Sequence, residues 1–393
     1  MTGHLPAAPW TQRADLAALV AALDPLAQGN CRYVGGAVRD TLLDAPVKDI
    51  DMATQLVPQE TMARLEAAGI RTIPTGIVHG TVTALLPEGG VEITTLRRDV
   101  STDGRHATVA FSTAWREDAA RRDFTINALY ADPRTLAVTD FFGGLDDLAR
   151  RHVRFIGEAE QRIREDYLRI LRYFRFQARF GTLPADAEAE RACAALAAGM
   201  KGLSRERIGW ELLTLLGLPD PAPTVRRMAE LGVLAQVLPE ATAAGLDSLA
   251  TLIASERREG LAPDALRRLA ALLPADPPMA EQVAARLRLS IAQRKRLATA
   301  AGRDGVVSDP RGLAYRLGRE EALDRLLLAG ASTMPLTGWD VPRFPLKGGE
   351  IVARGIGKGP DVARILRAVE ARWIAEGFPD AARVGALLDA ELG

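Results

Sequence analysis

Asp49 and Asp51 stand one residue apart in a β-forming stretch, residues 49–54. Alternate residues of a strand point to the same face. Two carboxylates so placed repel each other unless a cation lies between them. Their hard oxygen ligands suit Mg2+. Glu92, in a second β-forming stretch at 91–96, is the best candidate for a third carboxylate on a neighbouring strand. Together the three would make a two-metal site, with ions roughly 3.5–4 Å apart. Upstream, Gly35-Gly36-Ala37-Val38-Arg39-Asp40 follows a β-like run and leads into a helix start. A glycine pair lets the backbone approach a phosphate, the helix start presents unpaired N–H groups, and Arg39 adds charge.

A second concentration of charge lies further along. Residues 158–180 read as one helix, in which Asp166, Arg169, Arg172 and Arg175 recur in steps of three and so drift slowly around nearly one face. Glu165 and Arg169, four apart, also fit an ordinary surface ion pair. Arginine offers planar, bidentate donors suited to phosphates and base edges.

The elements that must position these groups change character near residue 140. Before it, β-like runs at 31–34, 49–54, 70–74, 81–86, 91–96 and 107–111 alternate with helical patterns at 15–26, 59–68 and 115–130. That mixture predicts an α/β head, a small mixed sheet with flanking helices. After residue 158 apolar residues recur at helical spacing, punctuated by Pro and Gly, which predicts an elongated all-α remainder. A chain of 393 residues suits several subdomains. The expected division is a head at 1–140, a helical neck at 141–215, a body at 216–320 and a tail at 321–393.

Composition sets bounds. Fifty basic and fifty acidic residues give a net charge of zero, so bulk charge announces no nucleic-acid partner. No apolar run approaches the roughly 20 residues of a membrane span. The N-terminal stretch lacks the basic start and apolar core of a signal peptide, so a cytoplasmic protein is expected. Cys31 and Cys193 are too few for a disulfide framework or a thiolate metal site. None of the four histidines lies beyond His152, which argues against a His-based metal site in the helical half.

The Gly-Gly-Ala-Val-Arg-Asp and Asp-Ile-Asp segments resemble the first motif of the class II CCA-adding tRNA nucleotidyltransferases and bacterial poly(A) polymerases. Arg121-Arg122-Asp123-Phe124-Thr125-Ile126-Asn127-Ala128 resembles the second, residues 140–148 the third (a hinge), Glu165-Asp166-Tyr167-Leu168-Arg169 the fourth, and Glu206-Arg207 with Glu211 the fifth. The five occur in the family's order over roughly the first 215 residues. The resemblance implies a nucleotidyltransferase head followed by helical neck, body and tail. It implies Asp49 and Asp51 as Mg2+ ligands, Glu92 as the third catalytic carboxylate, and Gly35, Gly36, Arg39 and Arg122 at the triphosphate. Asp123 and Asn127 would lie near the ribose.

The family selects its nucleotide with an Asp and an Arg, a role that falls on Asp166 and Arg169. The chemistry is sound: cytosine and adenine each present an amino donor beside a ring-nitrogen acceptor, which a carboxylate and a guanidinium match. Uracil and guanine present a carbonyl that would repel Asp166. Arg172 and Arg175 are expected at the nucleotide phosphates. The implied activity is untemplated addition of CCA to tRNA from CTP and ATP. Poly(A) polymerase and CC-only addition are the alternatives within the family. The stretch at 74–83, without a basic Gly-Arg-Arg/Lys segment nearby, favours the tRNA enzymes, and an intact loop at 97–111 favours addition of the terminal A. A non-catalytic RNA-binding protein on the same fold is a further alternative, which the retained Asp49, Asp51 and Arg39 disfavour.

Overall fold

The computed structural model describes residues 3–103, 106–303, 307–357 and 359–392, apart from the side chains of 99–109. It divides into two compact units, residues 1–215 with 223–237, and residues 216–222 with 238–393.

Among the described residues the first unit carries nine strands: β1 (Cys31–Val34), β2 (Ile50–Thr54), β3 (Thr72–Gly76), β4 (Thr81–Leu86), β5 (Gly89–Thr95), β6 (Arg97–Asp103), β7 (His106–Phe111), β8 (Leu129–Ala131) and β9 (Val138–Asp140). Seven form one mixed sheet in the order β3-β4-β5-β2-β1-β8-β9, and β6 and β7 form a separate hairpin. β2 and β5 are parallel and set Asp51 directly beside Glu92. Their inward residues Met52, Val91 and Ile93 are 0–1% exposed, so sliding either strand by one residue would bury a carboxylate instead of an aliphatic chain. Hydrophobic alternation thus fixes the register that brings the acids together.

Around the sheet run α1 (Ala14–Leu23), α2 (Gly36–Leu42), α3 (Pro58–Ala67), α4 (Trp115–Ala120) and α5 (Gly144–Ala149). They are followed by α6 (Ala159–Glu165), α7 (Leu168–Phe180), α8 (Ala187–Leu196) and α9 (Arg205–Leu216). Past residue 140 the described chain holds helices and no strand. The second unit buries an aliphatic and aromatic core in which Trp373 is 1% exposed, its indole N–H donating to the Pro379 carbonyl at 2.7 Å. No described helix is long and apolar enough to cross a membrane.

Three expectations need correction. The helical pattern at 115–130 stops at Ala120; a single 3-10 turn at Thr125–Asn127 and strand β8 follow. Asp123 accepts the Phe124 N–H on its own side chain at 2.9 Å, competing with helix continuation. Phe124 is then free to turn inward against Phe155 and Phe176, with ring centroids 5.0 and 4.9 Å away. The single helix expected at 158–180 is two, broken at Asp166, whose backbone is extended. Its carboxylate accepts the Leu168 N–H at 3.1 Å, a local bond that starts α7 and excludes a continuous helix. Tyr167 occupies the space above Gly199, where a Cβ would fall 2.0 Å from its ring, so only glycine admits the break. Finally, the segment at 97–111 is a paired hairpin rather than a loop, and its tip, Gly104-Arg105, lies outside the described residues.

Candidate active site

An open polar cavity of about 400 Å³ gathers most of the expected residues. Gly35, Gly36, Arg39 and Asp51 line it together with Arg122, Asp123 and Asn127. From the helical side come Asp166, Arg169, Arg172 and Phe176. Four separate stretches of the first unit therefore meet in one place, which chance placement of those motifs would not produce.

The phosphate-facing end begins at Gly35, whose φ of +69° is strained for any residue with a Cβ. The turn starts α2 and buries Arg39 to 6% exposure. The Arg39 guanidinium donates to Asp40 at 2.7 Å and to the Asn127 side-chain oxygen at 2.5 Å. It also lies 4.2 Å over the Phe180 ring. Arg39 is thus locked by its neighbours before any ligand arrives.

Arg122 sits between the sheet and the helices. Its Nε and Nη2 donate to Asp118 at 3.3 and 3.2 Å, and its Nε also to the Tyr130 hydroxyl at 3.1 Å. Burial opposes ionisation of Asp118, but Arg122 and Arg121 outweigh it and hold its carboxyl at about 2. Asp123 behaves alike: burial opposes its charge, while Arg172 at 2.5 Å and the Asn127 amide at 3.0 Å keep it at about 2.

The carboxylates of the sheet are the exception. Burial pushes the Asp51 carboxyl up, Glu92 and Asp49 push the same way, and Arg122 opposes them only in part, leaving it at about 6. Asp49 itself precedes β2 and is exposed. Among the described residues no three acidic, His or Cys side chains are drawn together as a ready metal cage. The charges of Glu92 and Asp49 oppose that of Asp51, and this negative charge with hard oxygen donors fits a divalent cation.

At the other end, Asp166 receives Arg207 at 2.5 Å. Arg169 directs one terminal nitrogen, Nη1, to both the Arg162 carbonyl at 2.7 Å and Glu165 at 2.5 Å. The Glu165–Arg169 ion pair therefore exists, and Arg169 still lines the cavity. Arg172 reaches Asp123, tying α7 to the second motif. Arg175 does not line this cavity. Each three-residue step falls about 60° short of a full helical turn, so two steps beyond Arg169 the side chain faces elsewhere. It is buried and donates to Glu211 of α9 at 2.6 Å. Phe176, Asp118 and Arg162 escaped the sequence reading. Phe176 could have been found by taking α7 four residues past Arg172. Asp118 carries no motif, and only its burial beneath two arginines marks it.

Comparison with known proteins agrees with this geometry. Residues 31–154 match the poly A polymerase head domain model, and residues 185–244 match the model described as "Probable RNA and SrmB- binding site of polymerase A". The chain is 36% identical to the mitochondrial CCA tRNA nucleotidyltransferase 1 of Mus musculus over 371 residues, covering 88% of this chain and 83% of the mouse protein. The CCA-adding enzyme of Streptococcus uberis is 49% identical over 148 residues, 37% of this chain and 36% of that protein. Among solved structures, the Bacillus stearothermophilus CCA-adding enzyme in complex with CTP superposes with a TM-score of 0.76 at 26% identity, covering 96% of this chain and 98% of that one. The Thermotoga maritima enzyme complexed with tRNA shares the fold, with a TM-score of 0.68 at 20% identity and coverage of 97% and 99%. The extent of the match to the mouse protein, over both units, places this chain in the family of CCA-adding tRNA nucleotidyltransferases and their poly(A) polymerase relatives.

Proposed function

We propose that this protein adds C, C and A to the 3′ end of tRNA, from CTP and ATP, with release of pyrophosphate. One observation carries the reading: a single cavity is lined by Gly35, Gly36, Arg39 and Asp51 together with Asp166 and Arg169. A nucleotide laid along it meets phosphate donors at its tail and a hydrogen-bonding edge at its base. Relatives named for CCA addition, at this identity and coverage, favour tRNA over other acceptors.

In the reaction the RNA 3′ oxygen forms a bond to the α-phosphorus as the bond to the β-phosphate oxygen breaks. The hydroxyl loses its proton, and pyrophosphate leaves. Arg39 and Arg122 hold the phosphates, and because both are pinned by neighbours they need not reorganise as charge moves onto the leaving oxygens. Asp123 and Asn127, which line the same cavity, take the sugar in this reading. Asp166 accepts from the amino group of cytosine or adenine while Arg169 donates to the ring nitrogen. Asp49 and Asp51, with Glu92, would hold Mg2+, which when bound acidifies the attacking hydroxyl and neutralises the leaving group. Arg175 acts through Glu211 as a brace for α7. Two buried free thiols, Cys31 and Cys193, suit a reducing compartment such as the cytoplasm.

The test is extension of a tRNA transcript ending at its discriminator base, read at single-nucleotide resolution. CTP alone should give two additions, and CTP with ATP three and then a stop. A long ladder with ATP alone would make the protein a poly(A) polymerase. A stop at two with both nucleotides would make it a CC-adding enzyme.

A further inference from the structure

Arg162, on α6, is 7% exposed and does not line the nucleotide cavity. Its guanidinium nevertheless reaches the supports of two arginines that do, Arg122 and Arg169. Nη1 donates to Glu165 at 2.5 Å. Nη2 donates to the main-chain carbonyls of Arg121 and Arg122, the latter at 2.8 Å. Resting on the nucleotide-selection reading above, we infer that Arg162 is a positioning residue for base recognition. It fixes Arg169 relative to Arg122, and so sets the separation between the guanidinium that reads the base and the guanidinium that holds the phosphates.

On the base-reading side, both hydrogen bonds of the Arg169 side chain among the described residues lead back to Arg162. One goes to the Arg162 carbonyl at 2.7 Å and the other to Glu165 at 2.5 Å. The Glu165 oxygen that receives Arg169, Oε2, is the one that receives Arg162. A carboxylate oxygen shared by two guanidinium groups cannot turn away from either without losing both bonds. The side chains of Glu165 and Arg169 are only 16% and 14% exposed, so water replaces those bonds poorly. The buried arginine holds the acid, and the acid holds Arg169.

On the phosphate side, α4 ends at Ala120, which leaves the carbonyls of the next two residues without a helical donor. Arg162 supplies that donor, and its charge also suits the negative end of a helix. Arg122 is thereby held through its main chain by Arg162 and through its side chain by Asp118. A second bond, from Arg172 to Asp123, joins the same two segments of chain. Both of those residues line the cavity, where a bound nucleotide competes for them. Arg162 makes its tie from outside the cavity, so it persists when the nucleotide arrives. Two sets of partners in different directions require a planar fork, which the single ammonium of a lysine lacks.

Arg162→Lys keeps the charge and removes the fork. With a tRNA transcript lacking its CCA, the preference for CTP over UTP in kcat/KM should fall by about tenfold. The inhibition constant of inorganic pyrophosphate, which engages the phosphate contacts alone, should stay within about twofold of wild type. Glu165→Gln leaves Arg162 on its two carbonyls and should weaken the CTP preference by a similar factor. The double variant should lose no more than about twofold beyond either single change, because both cut one line of bonds. A wild-type CTP preference in Arg162→Lys, a pyrophosphate constant that rises in step with the lost preference, or losses that multiply in the double variant overturns the inference. If Arg162→Lys does not fold, Glu165→Gln decides alone, and an unchanged CTP preference there overturns it. A wild-type protein with no preference for CTP over UTP would instead strike the nucleotide-selection reading itself.

Discussion

Two dense arrangements of arginine and carboxylate occur in this chain, and they follow opposite plans. In the second unit Glu256, 1% exposed, receives Arg267 and Arg268, each at 2.8 Å. Asp324, 0% exposed, receives Arg267 at 2.8 Å and Arg296 at 2.7 Å. Arg268 also donates to the Leu216 carbonyl at 2.7 Å. Every buried charge there is answered from within the unit. In the first unit the arginines are answered too, but the sheet carboxylates are not: among the described residues no cation forms an ion pair with Asp49, Asp51 or Glu92. Saturated charge builds a scaffold, whereas charge left in surplus marks the place where a ligand must complete the balance.

Asp51→Asn attacks the surplus directly and should have the largest effect. Extension should slow by about 10²–10³-fold or more, since a ligand of the charge-stabilising centre is lost. The metal-free protein should meanwhile become more stable. The folded carboxyl, at about 6, lies above its ordinary value of 3.8, so its ionisation disfavours the folded state. That cost is absent below the unfolded value and fully present above about 6. Thermal melts in chelator should therefore show a rise of about 2–4 °C for the variant near pH 8 and none near pH 4. A variant less stable near pH 8 would mean that the surplus does not exist.

Glu256→Ala breaks the saturated arrangement instead. It leaves buried Arg268 without a carboxylate partner and Arg267 with Asp324 alone, and should cost about 3–5 kcal/mol in denaturant unfolding, with the CTP-to-UTP preference of the folded fraction unchanged. A loss below about 1 kcal/mol would deny the network its scaffold role.

Arg175→Lys probes a residue on the boundary between the two plans, on the site helix but turned to Glu211. A lysine keeps the charge and loses the fork, so stability should drop by about 1 kcal/mol and KM for CTP should change by less than about threefold. A tenfold rise in that KM would return Arg175 to the phosphates.

The sequence made the chemistry legible where local rules govern. Strands β1 and β4 fall where β-forming residues predict them, because a half-buried strand advertises itself by side-chain type. The partnership of Asp51 with Glu92 needed only a guess that two such strands are neighbours. What stayed hidden depends on competition between local and tertiary bonds. Helical periodicity runs through Asp166, and only the side-chain bond to Leu168 and the glycine beneath Tyr167 reveal the break. Strand β8 is three residues long and enters the sheet beside β1, a non-local pairing across about a hundred residues of chain that periodicity cannot carry. Asp118 looks like any helix-start acid until two arginines and a tyrosine close over it.

The measurement closest to the centre of this account is single-turnover extension of a CCA-less tRNA by the Asp166→Ala variant, with CTP and UTP compared at equal concentration. The account predicts that discrimination against UTP falls by about 10-fold or more, because the carboxylate that repels the uracil carbonyl is gone, while Mg2+ dependence is unchanged. Discrimination at the wild-type level in that variant would contradict base selection by Asp166 and Arg169.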